Sequence, residues 1–183
     1  MRARGAGVLV VAVLAAGCGG VSDAGPRVLP SLTSSPSPSP SASAVPTGIN
    51  APTPQGAAAF ATFVYAEIQR AFETRDASGL QRVSSPSCVS CENFIESVQN
   101  IRKQGHRIEG YRIVVRTAVA PADTAATARV DVIRDSSGSV EYDADGRVVS
   151  RERALSGIEE QMDLVREGTS WKVTKITRIR IRG

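Results

Sequence analysis

Hydrophobic and polar positions change their spacing about halfway along the chain. Between residues 54 and 104, apolar residues recur every three or four positions, as in the stripe Phe60, Val64, Ile68 and Phe72. This period is typical of amphipathic helices. Beyond Gly110, apolar and polar residues alternate, as they do in strands with one buried face. The pattern therefore predicts an α+β domain in which helices are followed by a curved antiparallel sheet.

Three helices are predicted in the first half. Thr53 is a suitable N-cap and Pro54 a suitable first residue for a long helix. A short second helix follows in "DASGLQRV", with Asp76 as its predicted cap. Ser90 is the predicted cap of a third helix, which ends at Gly105. These signals divide the helical half into one long, one short and one medium element.

The second half is predicted to contain strands joined by turns. In "TAATARVDVIRD", Val130 and Val132 share one face, opposite Arg129 and Asp131. A polar hairpin covers roughly residues 136–153. The segment "ALSGIEEQMDLVREG" and the final "SWKVTKITRIRIR" form the last two strands. At the C-terminus, Ile179 and Ile181 are predicted to face one way and Arg178, Arg180 and Arg182 the other.

The end of the chain resembles the cone-shaped fold of nuclear transport factor and ketosteroid isomerase relatives. Their last hairpin often has the pattern Gly-x-x-Trp-x-Val-x-x-Ile, which Gly168, Trp171, Val173 and Ile176 match. The resemblance implies a cavity, and enzymes of this fold often place carboxylates or tyrosines there. A cavity site is thus one hypothesis for function.

Four residues are candidates for such a cavity: Asp131, Asp163, Tyr65 and Tyr111. The two aspartates alternate with apolar residues, which favours a solvated sheet face opposite the arginines. The one histidine, His106, follows Gly105 at the end of an element and is expected to be exposed and without a partner. A Ser-His-Asp or Cys-His site is not indicated.

The first residues are typical of an exported protein. Arg2 and Arg4 precede an apolar run that is too short to span a bilayer, which needs about 20 residues. The run ends in "LAAGC", which resembles a lipobox, although Ala15 stands where leucine is usual. We expect a signal peptide over residues 1–17 and lipid on Cys18. The alternative is ordinary cleavage that leaves Cys18 as a free thiol.

A Ser/Pro-rich segment follows over residues 18–54, and it is predicted to be an extended linker to one domain, residues 55–183. The lipobox, this linker, the segment ending in "SSPSCVSC" and "GHRIEGY" resemble a family of uncharacterised actinobacterial lipoproteins. The formal net charge of +4 includes two signal-peptide arginines, and the other charges are interspersed. This pattern does not indicate a nucleic-acid surface.

Cys88 and Cys91 form a C-x-x-C motif with three interpretations. An exported protein favours a structural disulfide. A redox motif is the second interpretation, because a cysteine near a helix N-terminus has a lowered pKa. However, thioredoxin-like motifs lie between a strand and a helix, and this motif lies between helices. Zinc is the third, but the chain contains too few further histidine and cysteine ligands.

The hairpin "EYDADGRVVSRE" has a spacing similar to a calcium loop. Glu141, Asp143, Asp145 and Glu152 fall at loop positions one, three, five and twelve. Glutamate at the first position and the lack of flanking helical patterns count against calcium. A plain hairpin with an Asp-Gly turn is the simpler interpretation. We therefore expect no metal and no cofactor, with these four residues as the weaker metal alternative.

These observations predict a lipoprotein on the outer face of the cytoplasmic membrane. Its domain is expected to be a non-catalytic binding or accessory module for a cell-wall polymer or an envelope protein, with no nucleic-acid partner. A small-molecule enzyme or carrier that uses the cavity is the alternative. A thiol-disulfide oxidoreductase acting through Cys88 and Cys91 is the third hypothesis.

Overall fold

Three helices and then seven strands follow one another in the part of the chain that the structure describes. This computed structural model describes residues 47–122 and 126–181. The helices are α1 (Pro54–Thr74), α2 (Ser78–Val83) and α3 (Val89–Lys103). The strands are β1 (Arg107–Glu109), β2 (Ile113–Val119), β3 (Thr127–Ser136), β4 (Ser139–Tyr142), β5 (Val148–Glu152), β6 (Leu155–Glu167) and β7 (Ser170–Ile181). The predicted α+β class is confirmed.

The predicted signal peptide, residues 1–17, and Cys18 lie outside the described residues, as does the linker up to residue 46. No helix in the two described segments is long and apolar enough to cross a membrane. The statements below therefore concern the folded domain.

Helix α1 begins as its capping signals predict. The N–H of Gly56 donates to Thr53 Oγ1 over 3.1 Å, and Pro54 is the first helical residue. Phe60, Val64 and Ile68 of the apolar stripe are fully buried. The helix ends at Arg75, which adopts a left-handed φ of 58°. This stripe packs in the same core cluster as the buried residues of the larger sheet.

The two predicted caps of the later helices are wrong. The N-cap of α2 is Ala77. Asp76, one residue before this cap, accepts a hydrogen bond from the N–H of Ser78 over 3.0 Å. The N-cap of α3 is Cys88, whose Sγ accepts the N–H of Cys91. Ser90 Oγ accepts a hydrogen bond from the backbone of β7 instead, so a tertiary contact has replaced a local one.

Two antiparallel sheets follow the helices. The larger has the strand order β2-β3-β6-β7, and the smaller has the order β1-β4-β5. In β3, Val130 and Val132 are buried whereas Arg129 and Asp131 are exposed, as the alternation predicts. The buried face of the larger sheet packs against α1 and supplies several residues of the core, among them Val130, Met162 and Trp171.

The last strand departs from its predicted alternation. The register pairs Glu159 with Arg180 and Glu160 with Arg178, which leaves Ile179 as the extra residue of a β-bulge. Arg178 consequently faces the buried Glu160, while Arg180 bonds Glu159 on the outer face. The prediction that these two arginines share a face is wrong. Arg182 lies outside the described residues.

Residues 49–51, which we call the strap, pack against the domain although they precede α1. Ile49 is only 2% exposed. Arg166 Nη1 donates to the carbonyl of Asn50 over 2.6 Å, and Trp171 Nε1 donates to that of Ala51 over 3.1 Å. The strap therefore forms part of the folded structure and covers one side of Trp171.

Candidate functional site

A buried polar group, the Glu160 cluster, lies between α1 and the larger sheet and consists of Tyr65, Arg134 and Glu160. Arg134 Nε donates to Glu160 Oε2 over 2.6 Å, and its Nη2 donates to Oε1 over 3.0 Å. Tyr65 Oη also donates to Oε2, over 2.7 Å. The guanidinium of Arg134 lies 5.2 Å from the centre of the Tyr65 ring. The Glu160 carboxylate thus accepts three hydrogen bonds from two residues.

The cluster keeps its charges in a defined state. Burial alone raises the pKa of Glu160, but the hydrogen bonds and charge of Arg134 outweigh it and leave the pKa lowered. Burial and the neighbouring Glu160 carboxylate raise the pKa of Tyr65 far above its usual range. At neutral pH the cluster therefore contains a carboxylate, a guanidinium and a neutral phenol. Such an arrangement has no readily exchanged proton.

Of the four predicted cavity residues, the structure brings only the tyrosines towards the cluster. Burial raises the pKa of Tyr111, and the Glu160 charge adds to this, whereas the charges of Arg134 and Arg178 oppose it. The Tyr111 ring lies 5.1 Å from that of Phe72. Asp131 and Asp163 lie on the outer face, where they bond Gln161 and Arg129. Both aspartates therefore lie on the solvated face of the sheet, as the alternation predicts.

Sequence reasoning missed Arg134 and Glu160. The signal was present: Arg134 is in phase with the buried valines of β3, and Glu160 lies between the buried Ile158 and Met162 of β6. Two opposite charges in phase with core residues on neighbouring strands predict a buried ion pair. Their partnership depends on the pairing of β3 with β6.

A second feature, the Trp171 pocket, lies among α1, α2, the strap and the start of β7. It has a volume of about 230 Å³. Its apolar walls are Ile49, Phe60, Phe63, Val83 and Trp171. Its charged lining residues are Glu67, Arg70, Arg82 and Lys172. Apolar walls with a few charged groups are typical of small-molecule sites.

Glu67 is the buried carboxylate of this pocket. It is 3% exposed, and its Oε2 accepts one hydrogen bond from Arg70 Nη2, at 3.0 Å. No described residue donates to its Oε1. Gly79 permits this position, because a Cβ there would lie 1.7 Å from Glu67 Oε2. Sequence reasoning missed Glu67 because an isolated glutamate on a helix ordinarily faces water.

Cys88 and Cys91 form a disulfide, which was the first of the three interpretations. The two residues are 2% and 1% exposed. Cys88 is also the cap of α3, so the bond holds the connection from α2 against the first turn of that helix. Thiol exchange requires access of an attacking thiolate, which this burial opposes.

The prediction that His106 is exposed and without a partner is wrong. Its Nδ1 lies 2.8 Å from Glu141 Oε1, and the His106 side chain is 16% exposed. Ser150 Oγ donates to the other oxygen of Glu141 over 3.1 Å. These contacts connect His106, the residue before β1, to the small sheet, since Glu141 lies on β4 and Ser150 on β5.

The candidate calcium residues do not converge. Asp143 Oδ1 accepts the backbone N–H groups of Asp145 and Arg147, and Asp145 pairs with the Arg147 side chain at 2.7 Å. Glu141 is directed to His106, and Glu152 is exposed on β5. Across the described ranges, no group of three or more His, Cys, Asp or Glu residues could hold a metal ion. The segment is a hairpin with an Asx turn.

Sequence comparison places the chain in a family. The model of a family of unknown function, DUF6318, matches residues 35–177. The chain belongs to DUF6318. The match includes the Trp171 pocket, the Glu160 cluster and the disulfide. A comparison with curated proteins found no match.

Solved structures similar to this DUF6318 chain include NTF2-like proteins. The intermembrane space region of the chloroplast protein ARC6 is 13% identical, with a TM-score of 0.49, and the match covers 68% of this chain and 95% of that one. A protein from the NTF2-like family from Streptomyces avermitilis is 12% identical, with a TM-score of 0.44 and coverages of 64% and 92%. A function-unknown protein from Mycobacterium tuberculosis is 13% identical, with a TM-score of 0.45 and coverages of 67% and 70%.

Proposed function

We propose that this DUF6318 chain is an exported lipoprotein, anchored through Cys18 to the outer face of the cytoplasmic membrane, whose domain is a non-catalytic binding or accessory module of the cell envelope. The proposal for residues 1–17 and Cys18 is supported by the lipobox-like "LAAGC". The Ser/Pro-rich segment that begins at Cys18 then acts as the spacer to the domain, in which the strap at residues 49–51 is already part of the folded structure. An envelope protein or cell-wall polymer is the proposed partner, in addition to the membrane.

One observation supports the non-catalytic part of the proposal. The inward-facing acid and base groups of the larger sheet bond one another, and Glu160 accepts from both Arg134 and Tyr65. A general acid or base needs a proton that it can exchange with a substrate at working pH. Glu160 is instead held ionised and Tyr65 neutral. This state stabilises the domain and does not favour proton transfer.

The alternatives require features that this arrangement disfavours. To serve a cavity enzyme, a group of the Glu160 cluster would have to be free of such partners. A thiol-disulfide oxidoreductase would need an accessible Cys88 or Cys91, whereas both are almost fully buried. Binding without chemistry requires only a surface or a pocket of suitable lining, such as the Trp171 pocket.

The anchor is tested by intact mass of the full chain extracted from membranes, beside a Cys18→Ser variant. We expect cleavage before Cys18 and the added mass of a diacylglycerol and acyl group, with neither in the variant. Thiol alkylation of the same sample should label Cys88 and Cys91 only after reduction under denaturing conditions. A chain without lipid contradicts the anchor, and labelling after a mild reductant favours the redox alternative.

The non-catalytic interpretation is tested by the stability of a Glu160→Gln variant. Removal of a structural ion pair destabilises a protein, whereas removal of a catalytic group often leaves stability unchanged or raises it. We expect a clear fall in the free energy of unfolding, measured with urea. An unchanged or increased stability would support the enzyme alternative.

A further inference from the structure

Glu67 is exceptional among the described carboxylates because it is buried and only partly bonded. Buried polar atoms in folded proteins almost always have a hydrogen-bond partner, and an exception points to a strained site, a water or a ligand. Glu67 Oε1 has no donor in either described segment, although Glu67 is 3% exposed and lines the Trp171 pocket. A donor on a molecule bound in the pocket would complete this carboxylate.

The walls of the pocket select an apolar body for that molecule. Phe60 and Trp171 are almost fully buried, and Phe63 is partly buried against the same core. Their rings leave a space of about 230 Å³, equivalent to about eight waters at about 30 Å³ each. A molecule with about ten non-hydrogen atoms fits a space of this size. A long lipid chain would exceed it.

The charges of the pocket select the polar groups. Arg70 neutralises Glu67 through their 3.0 Å ion pair. Arg82 and Lys172 remain as two positive charges, because the described residues provide no carboxylate to either. The ammonium of Lys172 donates to the backbone carbonyl of Arg82, and both residues line the pocket. This rim favours an anionic group, whereas Glu67 Oε1 favours a donor such as an ammonium.

We propose that the Trp171 pocket binds a small apolar amino acid, with its ammonium at Glu67 Oε1, its carboxylate at Arg82 and Lys172, and its side chain against Phe60, Phe63 and Trp171. The inference rests on the proposed function in that it names the ligand class of the binding domain. It does not depend on the lipid anchor, so the two are tested separately.

Intrinsic fluorescence is the first readout, because Trp171 is the one tryptophan of the sequence and lines the pocket. The full chain carrying Cys18→Ser is titrated, so that the proposed lipid does not compete for the apolar walls. The probes are L-leucine, isocaproate, which lacks the amine of leucine, and isoamylamine, which lacks its carboxylate. L-phenylalanine tests a larger side chain. Equilibrium dialysis of radiolabelled leucine and phenylalanine gives binding without reliance on emission.

We expect saturable binding of leucine or phenylalanine, with isocaproate and isoamylamine each at least about tenfold weaker than leucine, as loss of a charged hydrogen bond predicts. Glu67→Gln should lower leucine affinity towards that of isocaproate and leave isocaproate unchanged. Lys172→Gln should weaken leucine by several-fold, whereas Lys175→Gln, an exposed lysine of the same strand outside the pocket, should have no effect.

Two results would overturn the proposal. One is that neither amino acid binds saturably in dialysis. The other is that leucine, isocaproate and isoamylamine bind wild type with equal affinity, which would make the pocket an unselective apolar cavity. This probe series needs no substitution in the pocket, so it decides the question even if a Glu67 variant fails to fold. The anchor and the structural role of Glu160 would remain as proposed after either result.

Discussion

Two glutamates are buried in this domain, and their surroundings differ. Glu160 is 5% exposed and accepts hydrogen bonds from Arg134 and Tyr65, with Arg178 at 3.6 Å. Glu67 is 3% exposed and accepts one hydrogen bond, from Arg70. Burial of a carboxylate is costly unless its oxygens are bonded. The two glutamates are buried to a similar extent, but Glu160 accepts three hydrogen bonds from described residues and Glu67 accepts one.

The arginine partners of the two glutamates also differ in their exposure to solvent. The Arg134 side chain is 6% exposed, so its charge would remain buried if Glu160 were removed. The Arg70 side chain is 21% exposed and is partly in contact with solvent. Loss of one partner of a fully buried ion pair leaves the other charge without compensation. The larger penalty is consequently expected in the Glu160 cluster, and ligand binding is expected to depend on Glu67.

Glu160→Gln should show the largest effect. We expect a loss of about 3–5 kcal/mol in the free energy of unfolding, because the Arg134 charge remains buried without its carboxylate. Glu67→Gln is the matched control, with an expected loss of about 1 kcal/mol or less, since Arg70 reaches solvent. Urea unfolding monitored by Trp171 emission measures both. Equal losses would remove the distinction between the two glutamates.

Tyr65→Phe should have the next largest effect at neutral pH. It removes one hydrogen bond to a charged group, for an expected loss of about 1.5–3 kcal/mol. The pKa of Tyr65 is raised in the fold, so its contribution is present below the unfolded value of about 10 and is lost as pH rises above it. Wild type should thus lose more stability than the variant between about pH 10 and 12. Parallel alkaline stability curves would contradict this.

Gly79→Ala tests the close approach in the Trp171 pocket. The new Cβ would lie 1.7 Å from Glu67 Oε2, so the carboxylate must move, and we expect a loss of about 1–3 kcal/mol. In a Glu67→Ala background, the same change should be neutral or stabilising, because alanine is the better helix former. A double-mutant cycle measures this coupling. Additive effects would show that Gly79 and Glu67 are independent.

The smallest effect is expected in the acid pH dependence of stability that Glu160 contributes. The lowered pKa of Glu160 is the difference between burial, which raises it, and Arg134, which lowers it. Its contribution to stability is present above the unfolded value of about 4.3 and is lost as pH falls through the folded pKa. Wild type should therefore lose slightly more stability than Glu160→Gln from about pH 5 to pH 3 in urea unfolding. An identical slope would indicate an unshifted carboxyl.

Local patterns predicted the elements more reliably than their contacts. Thr53, Pro54 and the stripe of α1 act as predicted, since capping and helical period depend on neighbours within one or two turns. The predicted alternation of β3 is likewise confirmed, with Val130 and Val132 buried and Arg129 and Asp131 exposed. The predicted cap of α3, Ser90, is wrong, because its hydroxyl accepts a hydrogen bond from the backbone N–H of Ile176 on β7.

The sequence by itself predicted three helices followed by antiparallel strands and favoured a disulfide between Cys88 and Cys91, because hydrophobic period and a three-residue separation are properties of nearby residues. Tertiary structure alone decided the Glu160 cluster, in which Tyr65 and Glu160 are 95 positions apart. It also decided the bulge at Ile179 and the position of Glu67 beside Gly79. These features depend on strand register and close packing, which set distances between residues that no local pattern relates.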